Sequence, residues 1–294
     1  MQPQNATPVS VRNVSKSFQG RQVLDELSLQ VGRGTIVGLL GANGSGKTTL
    51  LRILLGLLPR DSGTAELCGT DADNLPPDTR ERIGYVPQSS QLFAWLTGRT
   101  MLRYVGSFYA NYDHEYAKSV AERLQVSLKT GIAALSPGQQ QRLSIVRALA
   151  TRPEVLVLDE PMAALDPAAR LFVIEELLRE HRTRELTVIV SSHIVHDLQR
   201  YCTHLAVVKD GRIAIHEPME FFAGLVRVVA RGEEALLSSA PFAKAMHVRT
   251  SNPGERTLVV AQNSMSEIER ELPAGITLQP LEGDLEAVLS EWMR

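Results

Sequence analysis

The residues Gly41-Ala42-Asn43-Gly44-Ser45-Gly46-Lys47-Thr48 fit the pattern G-x-x-x-x-G-K-[ST], and the chemistry of that pattern is the gripping of a phosphate chain. Glycines let successive backbone N–H groups turn inward on phosphate oxygens, and a helix opening at Lys47 adds the positive end of its dipole. Lys47 is then placed to bridge β- and γ-phosphates and the Thr48 hydroxyl to ligate Mg²⁺, with Thr49 beside it as a further contact. A second cluster, Val155-Leu156-Val157-Leu158-Asp159-Glu160, is an apolar strand ending in two carboxylates. In open α/β sheets the carboxyl ends of parallel strands line the ligand crevice. With a phosphate loop upstream, Asp159 is expected to reach the Mg²⁺ shell and Glu160 to polarise an attacking water. A chance Gly-rich turn and a solvated acidic strand end are the bland alternatives; the strand before the loop and the helix after it favour a nucleoside triphosphate.

The elements that must position these groups are legible as hydrophobic periodicities. Val9 to Val14 and Gln22 to Val31 alternate about Gly20 and predict antiparallel strands. Thr35 to Leu40 is a short continuous apolar run, the pattern of a strand buried on both faces. A helix from Lys47 to Leu57 follows, then strands at Thr64 to Leu67 and Arg82 to Val86. Residues 89 to 152 read as an all-helical insertion. Strands return at Val155 to Leu158, Thr187 to Ser191, His204 to Val208 and Arg212 to His216, with helices at Ala168 to His181 and Val195 to Tyr201 between them. Such interleaving predicts an α/β fold with a largely parallel sheet covered by helices.

Beyond Gly224 the texture changes. Short apolar runs at Leu225 to Val229, Ala245 to Arg249, Thr257 to Val260 and Ile276 to Leu278 alternate with helical stretches near Glu234, Ser264 and Asp284. The expectation is a domain over residues 1–224 and a small α+β appendage over 225–294. That appendage carries seven basic and ten acidic residues, which argues against nucleic acid as its partner.

Bulk properties narrow the class. The chain has 294 residues, 44% hydrophobic and 22% charged, with a formal net charge of −2. Neither nucleic acid nor an anionic membrane is attracted by overall charge. Cys68 and Cys202 stand apart without metal-type spacing or a disulfide framework, as in a reducing compartment. Met1 to Val14 is polar, without a signal-peptide core. No apolar run approaches the roughly 18–20 residues of a spanning helix, so a transport path would lie in another chain.

Together these residues resemble the nucleotide-binding subunits of ABC transporters over roughly residues 8–222. Their diagnostic element is Leu135-Ser136-Pro137-Gly138-Gln139, followed by Gln140-Gln141-Arg142, which is similar to the family signature L-S-G-G-Q. The resemblance implies a P-loop NTPase core with an antiparallel β subdomain. It also implies two cassettes paired head to tail, ATP as cofactor with Mg²⁺, and Ser136, Gly138 and Gln139 closing over the γ-phosphate on the opposing P-loop. Pro137 departs from the common glycine: it removes one N–H and fixes φ, though proline suits a first helical turn. Ser136 also reads simply as an N-cap.

Further positions follow from the resemblance. Phe18 is similar to the aromatic that stacks on adenine, and Gln88 to the glutamine that senses Mg²⁺ and water and hinges the helical insertion. Ala164-Leu165-Asp166 is similar to the loop coupling the two sites, and His193 to the switch histidine at the γ-phosphate. Leu92, Phe93, Trp95 and Leu96 fall where the family meets its permease, or else in the helical core. The implied protein is an ATPase subunit, exporter-like, at the cytoplasmic face of the cell membrane. Its partners would be a second cassette and a separate multi-span permease, with no nucleic acid. A soluble ABC ATPase acting on ribosomes or DNA, or a regulatory cassette with little turnover, remain as alternatives.

Overall fold

The computed structural model describes residues 7–109, 112–240, 242, 245–281 and 285–293. The chain divides into two compact units, Met1–His216 and Glu217–Arg294, where the apolar pattern had suggested a boundary at 224. In chain order the first unit runs β1 (Val9–Phe18), β2 (Arg21–Val31), β3 (Ile36–Leu40), α1 (Lys47–Leu54), β4 (Ser62–Leu67), β5 (Thr70–Asp71), α2 (Pro77–Glu81) and β6 (Ile83–Val86). It continues with α3 (Gly98–Gly106), α4 (His114–Arg123), α5 (Pro137–Ala150), β7 (Val155–Leu158), α6 (Pro167–Arg184) and β8 (Thr187–Ser192). Last come α7 (Val195–Gln199), β9 (His204–Lys209) and β10 (Arg212–Pro218), which crosses the boundary.

Two sheets form. The first, ordered β2-β1-β4-β5, is antiparallel. The second, ordered β10-β9-β3-β8-β7-β6, pairs β3, β6, β7, β8 and β9 in parallel. Every residue of β3, β7 and β8 is buried, the result expected of apolar runs covered on both faces. One core joins the two sheets through α1. Leu50, Leu51, Ile53 and Leu54 pack with Val9, Leu24 and Leu67 of the first sheet and with Val37, Val157 and Ile189 of the second. That clamp is what fixes the start of α1, and hence the phosphate loop, against the sheet.

Hairpins are closed by residue pairs with positive φ. Gln19 (49°) with Gly20 (81°) and Asp210 (49°) with Gly211 (73°) join β1 to β2 and β9 to β10. This is the conformation that a two-residue type I′ turn demands. The helix after the loop stops at Leu54 rather than Leu57, because Gly56 turns left-handed (φ 66°) with Ala72 carbonyl oxygen 2.3 Å from where a Cβ would sit. β5 and α2 were too short to leave a periodic signal. Residues 89–152 carry α3, α4 and α5 as expected, opened by an irregular stretch with a Thr97–Gly131 bridge. Arg123 of α4 makes two 2.6 Å bonds to Glu176 of α6, whose carboxylate is buried.

The second unit continues with α8 (Met219–Ala223), β11 (Leu225–Arg231), α9 (Glu234–Ser239), β12 (Ala245–Asn252) and β13 (Glu255–Ala261). α10 (Met265–Glu271), β14 (Thr277–Leu281) and α11 (Leu285–Met293) complete it. From β11 to β14 the order is βαββαβ, and the strands lie β12-β13-β11-β14 with antiparallel neighbours. That is the split βαβ, ferredoxin-like arrangement. Val228, Ala230, Leu258 and Val260 of the two central strands pack with Leu237 of α9 and Ile268 of α10. Asp284, near which the last helical stretch was expected, lies outside the described residues.

Candidate nucleotide site

The loop between β3 and α1 is shaped by two glycines that no other residue could replace without movement. A Cβ on Gly41 would meet Ser45 Oγ at 2.6 Å and the Val208 carbonyl oxygen at 2.7 Å. Gly46 has φ 106°, and a Cβ there would lie 2.6 Å from Leu24 Cδ2. Gly46 also takes the N-cap position of α1 with no side chain capping the helix. The first N–H groups of α1 therefore lack a side-chain acceptor, and they converge at the positive end of the helix dipole. An anion is the complement of such a site.

Lys47, buried at 6% exposure, donates to the carbonyl oxygens of Gly41 at 2.7 Å and Ala42 at 3.1 Å. Its ammonium stands 3.8 Å from Glu160 Oε1. Burial holds its pKa below the ordinary lysine value, partly offset by the charges of Glu160 and Asp159. The adjacent Thr48 hydroxyl donates to Asp159 Oδ1 at 3.1 Å. Asp159 is almost wholly buried and accepts a second bond on the same oxygen, 2.7 Å from Ser191 Oγ.

Glu160 follows with φ 47°, a left-handed conformation that costs a non-glycine residue on the order of 1–3 kcal/mol. The turn it makes brings its carboxylate back beside Lys47 and places Oε2 3.0 Å from His193 Nδ1. His193 lies on the exposed turn between β8 and α7. That turn is steadied by α7, whose Asp197 takes both its oxygens to Arg170 of α6 at 3.0 Å.

A cleft of about 460 Å³ opens above the loop, lined by Phe18, Arg21, Val23, Asn43, Gly44, Gly46, Lys47, Thr48, Thr49, Gln88 and Glu160. Phe18 is 44% exposed there. Its place is set by Asp61, which accepts from Lys16 Nζ and from the Ser17 N–H, both at 2.6 Å. Lys16 Nζ in turn sits 5.5 Å from the Phe18 ring centroid. Arg21 and Val23 escaped the sequence reading. The β1–β2 register pairs Phe18 with Arg21, so the hairpin about Gly20 was the available signal for the first of them.

Ser136, Gly138 and Gln139 do not line this cleft. They begin α5, where Ser136 Oγ accepts from the Gln139 N–H at 3.2 Å and Gln139 Oε1 accepts from the Ser136 N–H at 2.9 Å. Pro137 takes the first helical position, where its missing N–H costs no intrahelical bond. Gly138 is fitted closely, since a Cβ would come 2.9 Å from the carbonyl oxygen of Ala164. Asp166, two residues on, caps α6 by accepting from the Ala169 N–H at 2.8 Å. Of the expected positions, the phosphate loop, Phe18, Gln88, Asp159, Glu160 and His193 thus form one constellation and the α5 start forms another.

The residues beside the loop fit a divalent metal ion. The donor set there is the Thr48 hydroxyl and the buried Asp159 carboxylate, with the Gln88 amide on the cleft lining, and no cluster of three His, Cys, Asp or Glu exists among the described residues. Magnesium suits such a set, because it keeps waters and takes phosphate oxygens as its remaining ligands.

Comparison with known proteins agrees with this geometry. A family model described as ABC transporter matches residues 24–163. A Nod factor export ATP-binding protein I of Burkholderia lata is 39% identical over 210 residues, 70% of this chain and 69% of that one. Its counterpart in Sinorhizobium fredii is 33% identical over 257 residues, 86% of this chain and 71% of that one. That match is longer than the first unit, so it reaches into the second. Among solved structures, a dimeric ATP-binding cassette in a post-hydrolysis state with ADP and Pi superposes with a TM-score of 0.66 at 25% identity, over 72% of this chain and 98% of that one. The chain belongs to the ATP-binding subunits of ABC transporters, the ATPases that power transport.

Proposed function

We propose that the chain is the ATPase subunit of an exporter, working as a head-to-tail pair of identical cassettes on the cytoplasmic face of a membrane beneath a separate multi-span permease. The observation that carries the pairing is the split of the site. Phe18, the loop and Glu160 line the cleft, while Ser136, Gly138 and Gln139 present a helix start elsewhere. A second copy would bring its Ser136 and Gly138 over the γ-phosphate held by this copy's loop, and each cleft would be completed by its neighbour.

In that closed state Lys47, His193 and the opposing Ser136 stabilise the charge of the transferring phosphoryl group. Glu160 orients and polarises the water, and its left-handed turn aims the carboxylate toward the cleft. Thr48, Asp159 and Gln88 would hold Mg²⁺, which when bound neutralises phosphate charge. ATP then acts as the adhesive of the pair, and hydrolysis releases it.

Three observations support the transporter setting. Relatives at 33–39% identity are named as export ATP-binding proteins, one of them matching into the ferredoxin-like unit. Among the described residues no helix is long and apolar enough to cross a membrane, and we assign the path to a partner chain. And the segment after Gln88 exposes an aromatic ladder. Trp95 is 79% exposed and stacks on Phe93 at 5.0 Å, Phe93 meets Tyr104, and Tyr104 meets Phe108. Leu92 and Leu96 are half-buried instead, so outward aromatics and inward leucines share the segment. We assign the ladder to the permease contact.

The test is Glu160→Gln, which retains shape and removes the base. With ATP and Mg²⁺ the variant is expected to elute from a sizing column as a dimer and without ATP as a monomer. A variant that stays monomeric with bound ATP would overturn the paired site.

A further inference from the structure

We infer that Ser191, a buried hydroxyl at the end of β8, is a positioning residue for hydrolysis. It locks the carboxylate of Asp159 and the backbone of Glu160 to the strand next to the phosphate loop. This rests on the assignment of Asp159 to the metal shell and of Glu160 as base.

The argument begins with the ladder. β7 pairs with β8 from Val155–Thr187 to Leu158–Val190, and on its other side β8 pairs with β3 through Leu39–Ser191 and Leu40–Ser192. The β7 ladder would next place Asp159 beside Ser191, but Glu160 turns left-handed (φ 47°) and leaves the sheet. Its N–H, buried at that point, needs another acceptor. Ser191 Oγ supplies it at 2.8 Å. A hydroxyl holds one proton, and with the lone pair engaged by Glu160 that proton goes to Asp159 Oδ1 at 2.7 Å.

Ser191 is wholly buried, so water cannot stand in for the hydroxyl without rearrangement. Two acidic groups with different tasks are thereby oriented by one side chain. The aim of the Glu160 carboxylate follows from the backbone turn that the bond secures. The Asp159 oxygen that meets Thr48 Oγ1 is the same one that Ser191 holds. Valine at this point of the strand would fill similar space and supply neither bond.

The experiment compares Ser191→Ala, Ser191→Thr and Ser191→Val in the purified full-length protein. Threonine and valine have nearly the same shape and differ in the hydroxyl, so their comparison holds even if alanine folds poorly. Turnover is read against Mg²⁺ concentration, and binding of a fluorescent ATP analogue is read in EDTA and in Mg²⁺. Outer-shell partners of metal ligands typically carry about 10–100-fold in metal affinity or activity. Ser191→Ala and Ser191→Val are therefore expected to lose about 10–100-fold in kcat and to need more Mg²⁺ for half-saturation. Their analogue affinity in EDTA should stay within about twofold of the parent. Ser191→Thr should recover most of both losses. Equal kcat and equal Mg²⁺ requirement for the Thr and Val variants would overturn the inference. Glu160→Gln is assayed alongside. Loss of turnover there with an unaffected Ser191→Val sinks only the role of Ser191, whereas full turnover in Glu160→Gln sinks the assignment of the base beneath it.

Discussion

Two helices of this molecule begin at chemistry, and they begin in opposite ways. α1 starts at a left-handed glycine with no side-chain cap, and Lys47 beside it is buried and folded onto carbonyls of its own loop. α5 starts with a complete capping box, Ser136 and Gln139 satisfying each other, and with proline at its first position. The first start is costly by itself and is complemented by an anion. The second is stable by itself, and it keeps in reserve a hydroxyl proton on Ser136 and the N–H of Gly138. On the proposed pairing, a receptor for phosphate is built into one helix end, while the other is a finished surface that adds to the site of a second copy.

The largest way to break this contrast is Lys47→Met. Loss of one positioned donor typically costs about 10²–10³ in kcat, and ATPase turnover should fall by at least that. Stability should move the other way. Because burial lowers the pKa of Lys47 below 10.5, the folded state sheds this proton before the unfolded chain does. Lys47 therefore makes stability rise as pH climbs from the lowered value toward 10.5. In Lys47→Met that rise should flatten, and thermal melts at pH 7 without nucleotide should be no lower than for the parent. A variant that melts much lower would mean that the buried ammonium is a structural brace.

Next in size is Gly46→Ala. An alanine held left-handed loses roughly 1–2 kcal/mol, and here the added Cβ also collides with Leu24 and the Val23 carbonyl. Affinity for a fluorescent ATP analogue should drop by more than about tenfold, since 1.4 kcal/mol is a factor of ten. Parent-like affinity would show that the loop does not need its left-handed entry.

The smallest effect sharpens the other helix. Pro137→Gly restores an N–H at the start of α5 and loosens the unfolded chain, which should lower stability by about 0.4–1 kcal/mol. If that N–H reaches a phosphate across the pair, turnover should rise a few-fold while nucleotide affinity of the monomer is unchanged. Turnover that falls together with the melting temperature would leave Pro137 as a helix starter and nothing more.

The contrast also explains what could be read from the amino acids. Gly41 to Thr48 and Val155 to Glu160 were legible because each is a contiguous run whose chemistry and local structure coincide. The phosphate loop's glycines are needed where the backbone turns, and the acidic pair stands where an apolar strand ends. Ser191 was read only as the last residue of a strand. Its partners lie 31 and 32 positions away, and serine at a strand end has no signature of its own. Arg21 and Val23 were missed for the same reason, since they enter the cleft only through the register of a hairpin. In the second unit the strands were visible as apolar runs. Their βαββαβ order became a recognisable sheet only when pairing placed β11 and β13 side by side.

The pairing of β3 has a consequence for how the protein is made. Ile36 hydrogen-bonds beside Val188, and Val37 beside His204, so both neighbours of the strand that carries the phosphate loop come from far down the chain. A ribosome adding about 5–20 residues per second would leave β3 without either neighbour for roughly ten seconds or longer. During that interval the nascent cassette holds a fully apolar strand with two open edges, a natural target for a holding chaperone and a hazard for aggregation. Nucleotide cannot rescue it early, because the turn bearing Glu160 and the strand bearing Ser191 are not yet in place. Birth of the ATP site therefore comes at the end of the cassette's synthesis, and truncations before β9 should yield chains that neither bind nucleotide nor stay soluble.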